Sequence, residues 1–285
     1  MGDVSGLSLA LFTGLAPAGA VAYCAVALVL LACRSMEEDA RLRLTKLLGV
    51  PLAICWLGFF AAATHLGSAG NALYAFSGIG RSPLSNEVAA VVAFLFCAGI
   101  TWLYSFKHNP NWTVCACGLA ASALCGIALV AFVGLAYDVS TVPTWTTVLT
   151  PVNILVGALC AGLSLAAVVV HGCQVGLPSV QRVLLVLAAL ALAGSCAGQL
   201  AFVGHLNAIG NNVVALGTLG AGHERAVLAA AALGLAGLVL QMTSRTKPER
   251  FGASVALDAA GAVLVLAAAL VLRFPFYDAY LSVGF

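Results

Sequence analysis

Two residues could do proton chemistry where the rest of the chain offers almost none. His65 closes one apolar segment and Glu87 opens the next, joined by the stretch HLGSAGNALYAFSGIGRSPLSNE. An imidazole with an ordinary pKa near 6.5 takes up and releases a proton near neutral pH. A carboxyl group in a partly apolar setting holds its proton more readily than one in water. Together they suit a lipid-soluble hydroquinone, which needs a hydrogen-bond acceptor at each hydroxyl and a route for two protons. Each residue also has an ordinary explanation. His65 before Gly67 reads as a cation at a helix C-terminus, and Glu87 after Ser85 and Asn86 reads as an acid in the first turn of a capped helix.

The elements that must position these residues are membrane helices. Hydrophobic residues make up 62% of the 285 positions and charged residues 8%, against about 25% charged in a soluble domain. The mean hydropathy is +1.08. Such a surface is covered by lipid. A net charge of +2, with no basic run, excludes a nucleic-acid partner. A spanning helix takes roughly 20 mostly apolar residues. Eight stretches qualify: Leu7–Cys33, Leu47–Leu66, Glu87–Phe106, Thr113–Tyr137, Val148–His171, Arg182–Gly204, Arg225–Met242 and Ser254–Leu272. The expected fold is all-α, one polytopic membrane domain over residues 1–285, with helices satisfying their own backbone groups in lipid. The first stretch does not read as a cleaved signal peptide, because Asp3 precedes it with no Lys or Arg and its apolar run is too long.

Basic residues orient the bundle. Arg34, Arg41, Arg43, Lys46, Lys107, Arg182, Arg245, Lys247 and Arg250 fall on one side, and Arg81, Arg225 and Arg273 on the other. Nine against three puts the first group in the cytoplasm and both termini on the outer side. His65 and Glu87 then share the outer depth on one antiparallel hairpin. Asn153 and Gln199 add hydrogen-bonding groups near that depth. Asp258 and His171 belong to the cytoplasmic end, Asp258 as a snorkelling or capping acid. The outer connections, poor in Lys and rich in aromatics and small polar residues, offer a protein-docking surface at Tyr74, Phe76, Tyr137, Thr141, Pro143 and Trp145; the alternative is an aromatic belt at the lipid headgroups. Ser85 and Asn86 shape the entrance of the third span, and Arg81 orients the carboxylate or meets the partner.

The ten cysteines include no cluster spacing, and most lie mid-span, where Cys acts as a small apolar residue. His65 and His205 share a side, but no second histidine pair accompanies them, so neither haem nor an iron–sulfur cluster is expected. A solute or ion transporter remains an alternative, although such proteins place polar groups near the midplane and often carry internal repeats.

HLGSAGNALYAF and SPLSNE, with YDVSTVPTWTTVLTP at 137–151, resemble the membrane anchor subunit of bacterial dimethyl sulfoxide reductases, the DmsC family, along essentially the whole chain. The resemblance implies a three-subunit enzyme of the bacterial cytoplasmic membrane. In it, this chain holds an iron–sulfur subunit and, through it, a molybdopterin catalytic subunit, oxidises menaquinol, and passes the electrons on without a haem of its own. It further implies that His65 and Glu87 correspond to the family's quinol-site histidine and glutamate. Related anchors of polysulfide or nitrite reductases are the neighbouring alternative, and the terminal acceptor is chosen in a subunit absent from this sequence.

Overall fold

The computed structural model describes residues 3–33, 36–64, 69–174, 176–210, 214–244 and 251–281. The elements are α1 (Asp3–Ala32), α2 (Glu38–Leu47), α3 (Gly49–Ala63), α4 (Pro83–Tyr104), α5 (Trp112–Ala136), α6 (Leu149–Gly172), α7 (Pro178–Asn207), α8 (Ala221–Ser244), α9 (Phe251–Val271) and α10 (Arg273–Asp278), with a 3-10 segment, Ala69–Phe76, before α4. No strand occurs among the described residues. Among the described residues, eight helical spans are long and apolar enough to cross a membrane. Successive spans run antiparallel, which gives the bundle a Glu87 end and a His171 end.

Helices α1 and α6 pack on each other at the centre. Helices α3 and α5 lie against α1, α4 lies against α5, and α7 and α9 flank α6, with α8 on α9. Without water between helices, close backbone approach and dispersion hold such a bundle together. Small residues permit it. A Cβ on Gly58 of α3 would stand 2.7 Å from the Ala16 nitrogen of α1, and one on Gly162 of α6 would stand 2.7 Å from the Ala18 carbonyl oxygen. The periphery carries exposed Leu28, Leu57, Phe60, Phe96, Leu124 and Leu190, an apolar coat that fits acyl chains.

Two spans differ from the sequence reading. The basic 1–2 connection is helical from Glu38, and α2 runs into α3 through Leu48. There Arg41 lies over the Trp112 ring at 4.5 Å, and Trp102 Nε1 donates to the Lys46 carbonyl at 2.7 Å. The last span does not stop at Leu272 but continues into α10. Hydropathy ends a span at its first charge, so Arg273 read as a loop residue. In the fold it is 3% exposed.

Asp258 is also corrected. It is fully buried, and its Oδ2 lies 2.8 Å from His171 Nδ1. Snorkelling needs a long flexible stem. A short carboxylate facing the bundle interior pairs instead.

Candidate functional site

The local sequence places Glu87 one turn inside its helix. Pro83, which has no N–H to satisfy, occupies the first helical position, and Ser82 stands before it in extended geometry. Neither Ser85 nor Asn86 caps the helix. Asn86 Oδ1 instead accepts from the Gly80 N–H at 2.7 Å, and Gly80 has φ +80°, a left-handed conformation that a residue without Cβ adopts freely. Ser85 is buried beneath the same turn. Arg81 is exposed and donates to the Ser77 carbonyl at 3.3 Å, so it braces its own loop and leaves the carboxylate alone. Glu87 itself is 2% exposed, and its Oε1 has no hydrogen-bond partner in the protein.

Tyr137 and Tyr277 both lie within electrostatic reach of Glu87, and their rings meet edge to face at 5.7 Å. Tyr277 comes from α10, with its hydroxyl 3.1 Å from Thr13 Oγ1 of α1 and donating to the Leu9 carbonyl at 3.3 Å. Trp145 stacks on Phe276 at 4.9 Å, and its Nε1 donates to the Phe276 carbonyl at 3.0 Å. Thr150 Oγ1 donates to the Trp145 carbonyl at 2.8 Å. The 138–147 connection therefore folds down onto α10 as an aromatic cover, and burial alone does not make its aromatics available to another protein.

Behind the phenols lies a second polar group set. Arg273 Nη2 donates to the Asn153 carbonyl at 3.2 Å, and Asn153 Nδ2 donates to the Gly198 carbonyl at 3.2 Å. Next to Gly198, Gln199 Oε1 accepts from His223 Nε2 at 2.7 Å. Phe202 separates His223 from His205, with centroid distances of 5.3 and 6.0 Å. Asn153 and Gln199 thus each take part in this polar set, through the Gly198 carbonyl and His223. Arg273 and His223 are additions. His223 fell in a connection because α8 begins at Ala221, four residues before the apolar stretch read from Arg225.

Among the described residues, six buried side-chain atoms at this end have no hydrogen-bond partner: Glu87 Oε1, Thr144 Oγ1, Asn153 Oδ1, His205 Nε2, His223 Nδ1 and Arg273 Nε. A buried polar atom without a partner is costly, and their concentration at one end marks a place suited to a polar ligand or bound water. An apolar groove of ≈ 550 Å³ between α1, α5 and α6 ends at Gly134 and Pro151, one turn from Tyr137, whose N–H bonds the Gly134 carbonyl.

His65 lies outside the described residues. Among the docking candidates, Tyr74 is 73% exposed and Phe76 half-buried. Thr141 is exposed and Pro143 half-buried, whereas Tyr137 and Trp145 are buried. Leu73, Ile79 and Leu216 add exposed apolar side chains on these connections. No cluster of three metal-ligating side chains occurs among the described residues.

A family profile described as DMSO reductase anchor subunit (DmsC) matches residues 1–279. The protein is similar to the YnfH subunit of an anaerobic dimethyl sulfoxide reductase of Escherichia coli, 28% identical over 234 residues, which covers 80% of this sequence and 79% of that one. It is also similar to the C subunit of the anaerobic dimethyl sulfoxide reductase of Haemophilus influenzae, 29% identical over 160 residues, 56% of this sequence and 57% of the relative. The corresponding C subunit of Escherichia coli is 32% identical over 98 residues, 34% of each sequence. The match to the Haemophilus protein thus spans less than two thirds of that protein's length.

Proposed function

The chain belongs to the family of DMSO reductase anchor subunits (DmsC), a multi-pass membrane anchor of a DMSO-reductase-type complex, and from that premise we propose that its Glu87 end oxidises menaquinol. The observation that carries this reading is the carboxylate of Glu87. It is buried among apolar helices, has one oxygen without a partner among the described residues, and lies within electrostatic reach of two phenols. A group so expensive to bury is retained where a ligand completes its hydrogen bonds. Glu87 accepts one hydroxyl proton of the quinol, and His65 is its counterpart for the other.

Oxidation of one quinol yields the quinone, two protons and two electrons. The protons leave on the side of the Glu87 end, and no net pumping is required. This chain holds neither haem nor cluster in this reading, so the electrons go to an iron–sulfur subunit and from it to a molybdopterin catalytic subunit. Exposed Leu73, Tyr74, Ile79 and Leu216 supply apolar contacts for the first of these, with Phe76, Thr141 and Pro143 at its edge. The 550 Å³ groove gives an isoprenoid tail an apolar path one turn from Tyr137. The side of the nine basic residues is cytoplasmic, so the Glu87 end and both termini face outward across the bacterial inner membrane.

The test is made on the intact complex with Glu87→Gln and His65→Ala. Menaquinol-driven reduction falls on the order of 100-fold in each, the scale of losing a positioned proton acceptor. Reduction driven by a dye that delivers electrons to the partner subunits stays unchanged. Full menaquinol turnover in both variants would remove the site assignment.

A further inference from the structure

Arg273 is the most unusual residue at the Glu87 end. It is buried and donates to the Asn153 carbonyl, while its Nε has no partner. It forms an ion pair with no carboxylate among the described residues. A cation withdrawn from water and left without a counter-charge is among the costliest arrangements in a fold. Solvation by lipid offers nothing to offset that cost.

Its neighbours say where the compensating charge belongs. Tyr137 and Tyr277 each lie within electrostatic reach of both Arg273 and Glu87. Tyr277 follows Arg273 by one turn of α10, and its ring meets that of Tyr137 at 5.7 Å. The remaining groups facing Arg273 are polar and uncharged or weakly basic: Asn153 of α6 and His223 of α8, the latter held by Gln199 of α7. From α1, Thr13 meets the Tyr277 hydroxyl. Among these neighbours no second acid closes the set.

We propose that Arg273 is the positioning cation of this site, compensating the negative charge that a bound hydroquinone acquires as it gives up its first proton to Glu87. The inference rests on the reading of the Glu87 end as the quinol site. The O–H bond of one quinol hydroxyl breaks, the proton goes to the Glu87 carboxylate, and the quinol becomes a monoanion. That anion then loses two electrons to the iron–sulfur partner and its second proton, giving the quinone. A fixed cation favours the anion without reorganising, because it is already held in place in a water-poor setting. Tyr137 and Tyr277, within reach of both charged groups, carry the interaction, so Arg273 acts through them and need not touch the substrate.

A pH signature separates this role from one in packing. Removing the cation makes the bound quinol harder to deprotonate, so the rising limb of turnover moves to higher pH. In the assembled complex, Arg273→Met lowers menaquinol-driven kcat on the order of tenfold or more near neutral pH, with much of the loss recovered at about pH 9. Arg273→Lys loses less than the Met variant near neutral pH, since its ammonium keeps part of the charge although burial deprotonates it more readily than a guanidinium. Dye-driven turnover is unchanged in both. A loss in the Met variant that is equal at every pH overturns the proposal, as does an unchanged Met variant alongside a collapsed Glu87→Gln variant. If the Met variant fails to assemble, the Lys variant decides: a loss that changes with pH supports the charge assignment, and a loss equal at every pH overturns it. Retained turnover in Glu87→Gln strikes the underlying quinol reading instead, so the two failures are distinguishable.

Discussion

The two ends of the α6–α9 half of the bundle carry similar side chains in opposite states. At the His171 end, His171 bonds Asp258 through Nδ1 at 2.8 Å and meets Ser254 Oγ at 3.3 Å through Nε2. Ser254 Oγ lies 2.9 Å from the Ser244 carbonyl. Gln241 Oε1 accepts from Ser164 Oγ at 2.8 Å, and its Nε2 donates to the Ser164 and Asp258 carbonyls at 3.2 Å. At the Glu87 end, Gln199 and His223 form one bond, but His223 Nδ1, Asn153 Oδ1, Arg273 Nε and Glu87 Oε1 have no partner. A closed network fixes helices to one another. An open one leaves buried polar atoms for water or a polar ligand to satisfy. A cavity of ≈ 740 Å³ lies beside His171; Gln174, Gln181 and Arg182 line it too, while its His171 and Ser254 already bond one another.

The contrast predicts different consequences for substitutions at the two ends. The largest is expected at the closed end. Asp258→Ala strands His171, and losing one member of a buried pair costs about 3–5 kcal/mol. Thermal unfolding of the complex in detergent will show a lowered midpoint. Menaquinol-driven and dye-driven activities will fall together, in proportion to the complex that survives. A selective loss of the menaquinol reaction would make the His171 end chemical and dissolve the contrast.

Gln199→Leu comes next. It leaves the His223 Nε2–H without its acceptor, a penalty of about 1–3 kcal/mol. It also disturbs the polar set behind Arg273, so the ratio of menaquinol-driven to dye-driven turnover drops along with stability. A stable variant with an unchanged ratio would confine the site to Glu87 and the phenols. The smallest effect belongs to Asn86→Ala. It removes the bond to the Gly80 N–H at an exposed turn, a change of about 0.5–1.5 kcal/mol, visible as faster proteolysis of the 77–82 connection with near-parental turnover.

Much of this contrast could be read from the sequence, and the rest could not for definite reasons. Runs of apolar residues announce eight spans because lipid demands them. Glu87 is conspicuous because carboxylates are rare in such a setting. Asn153 and Gln199 lie at matching depths by simple counting along antiparallel helices. Arg273 escaped because a cation at the end of an apolar run looks like the start of a loop. Its burial depends on a carbonyl 120 residues earlier in the sequence. His223 escaped for the same reason at the start of α8. Tyr137 and Trp145 looked like docking residues because aromatic loops have one composition whether they face a partner or fold onto Phe276 and Tyr277. Asp258 looked like a helix-end acid until α6 brought His171 beside it.

If the Glu87 end does chemistry and the His171 end holds structure, one ratio separates them most directly. It is menaquinol-driven turnover divided by dye-driven turnover, measured in parallel preparations of the parent, Glu87→Gln and Asp258→Asn complexes. This ratio is expected to fall on the order of 100-fold in Glu87→Gln and to keep the parental value in Asp258→Asn, whatever the yield of complex. A parental ratio in Glu87→Gln, or a collapsed ratio in Asp258→Asn, would contradict that division of roles.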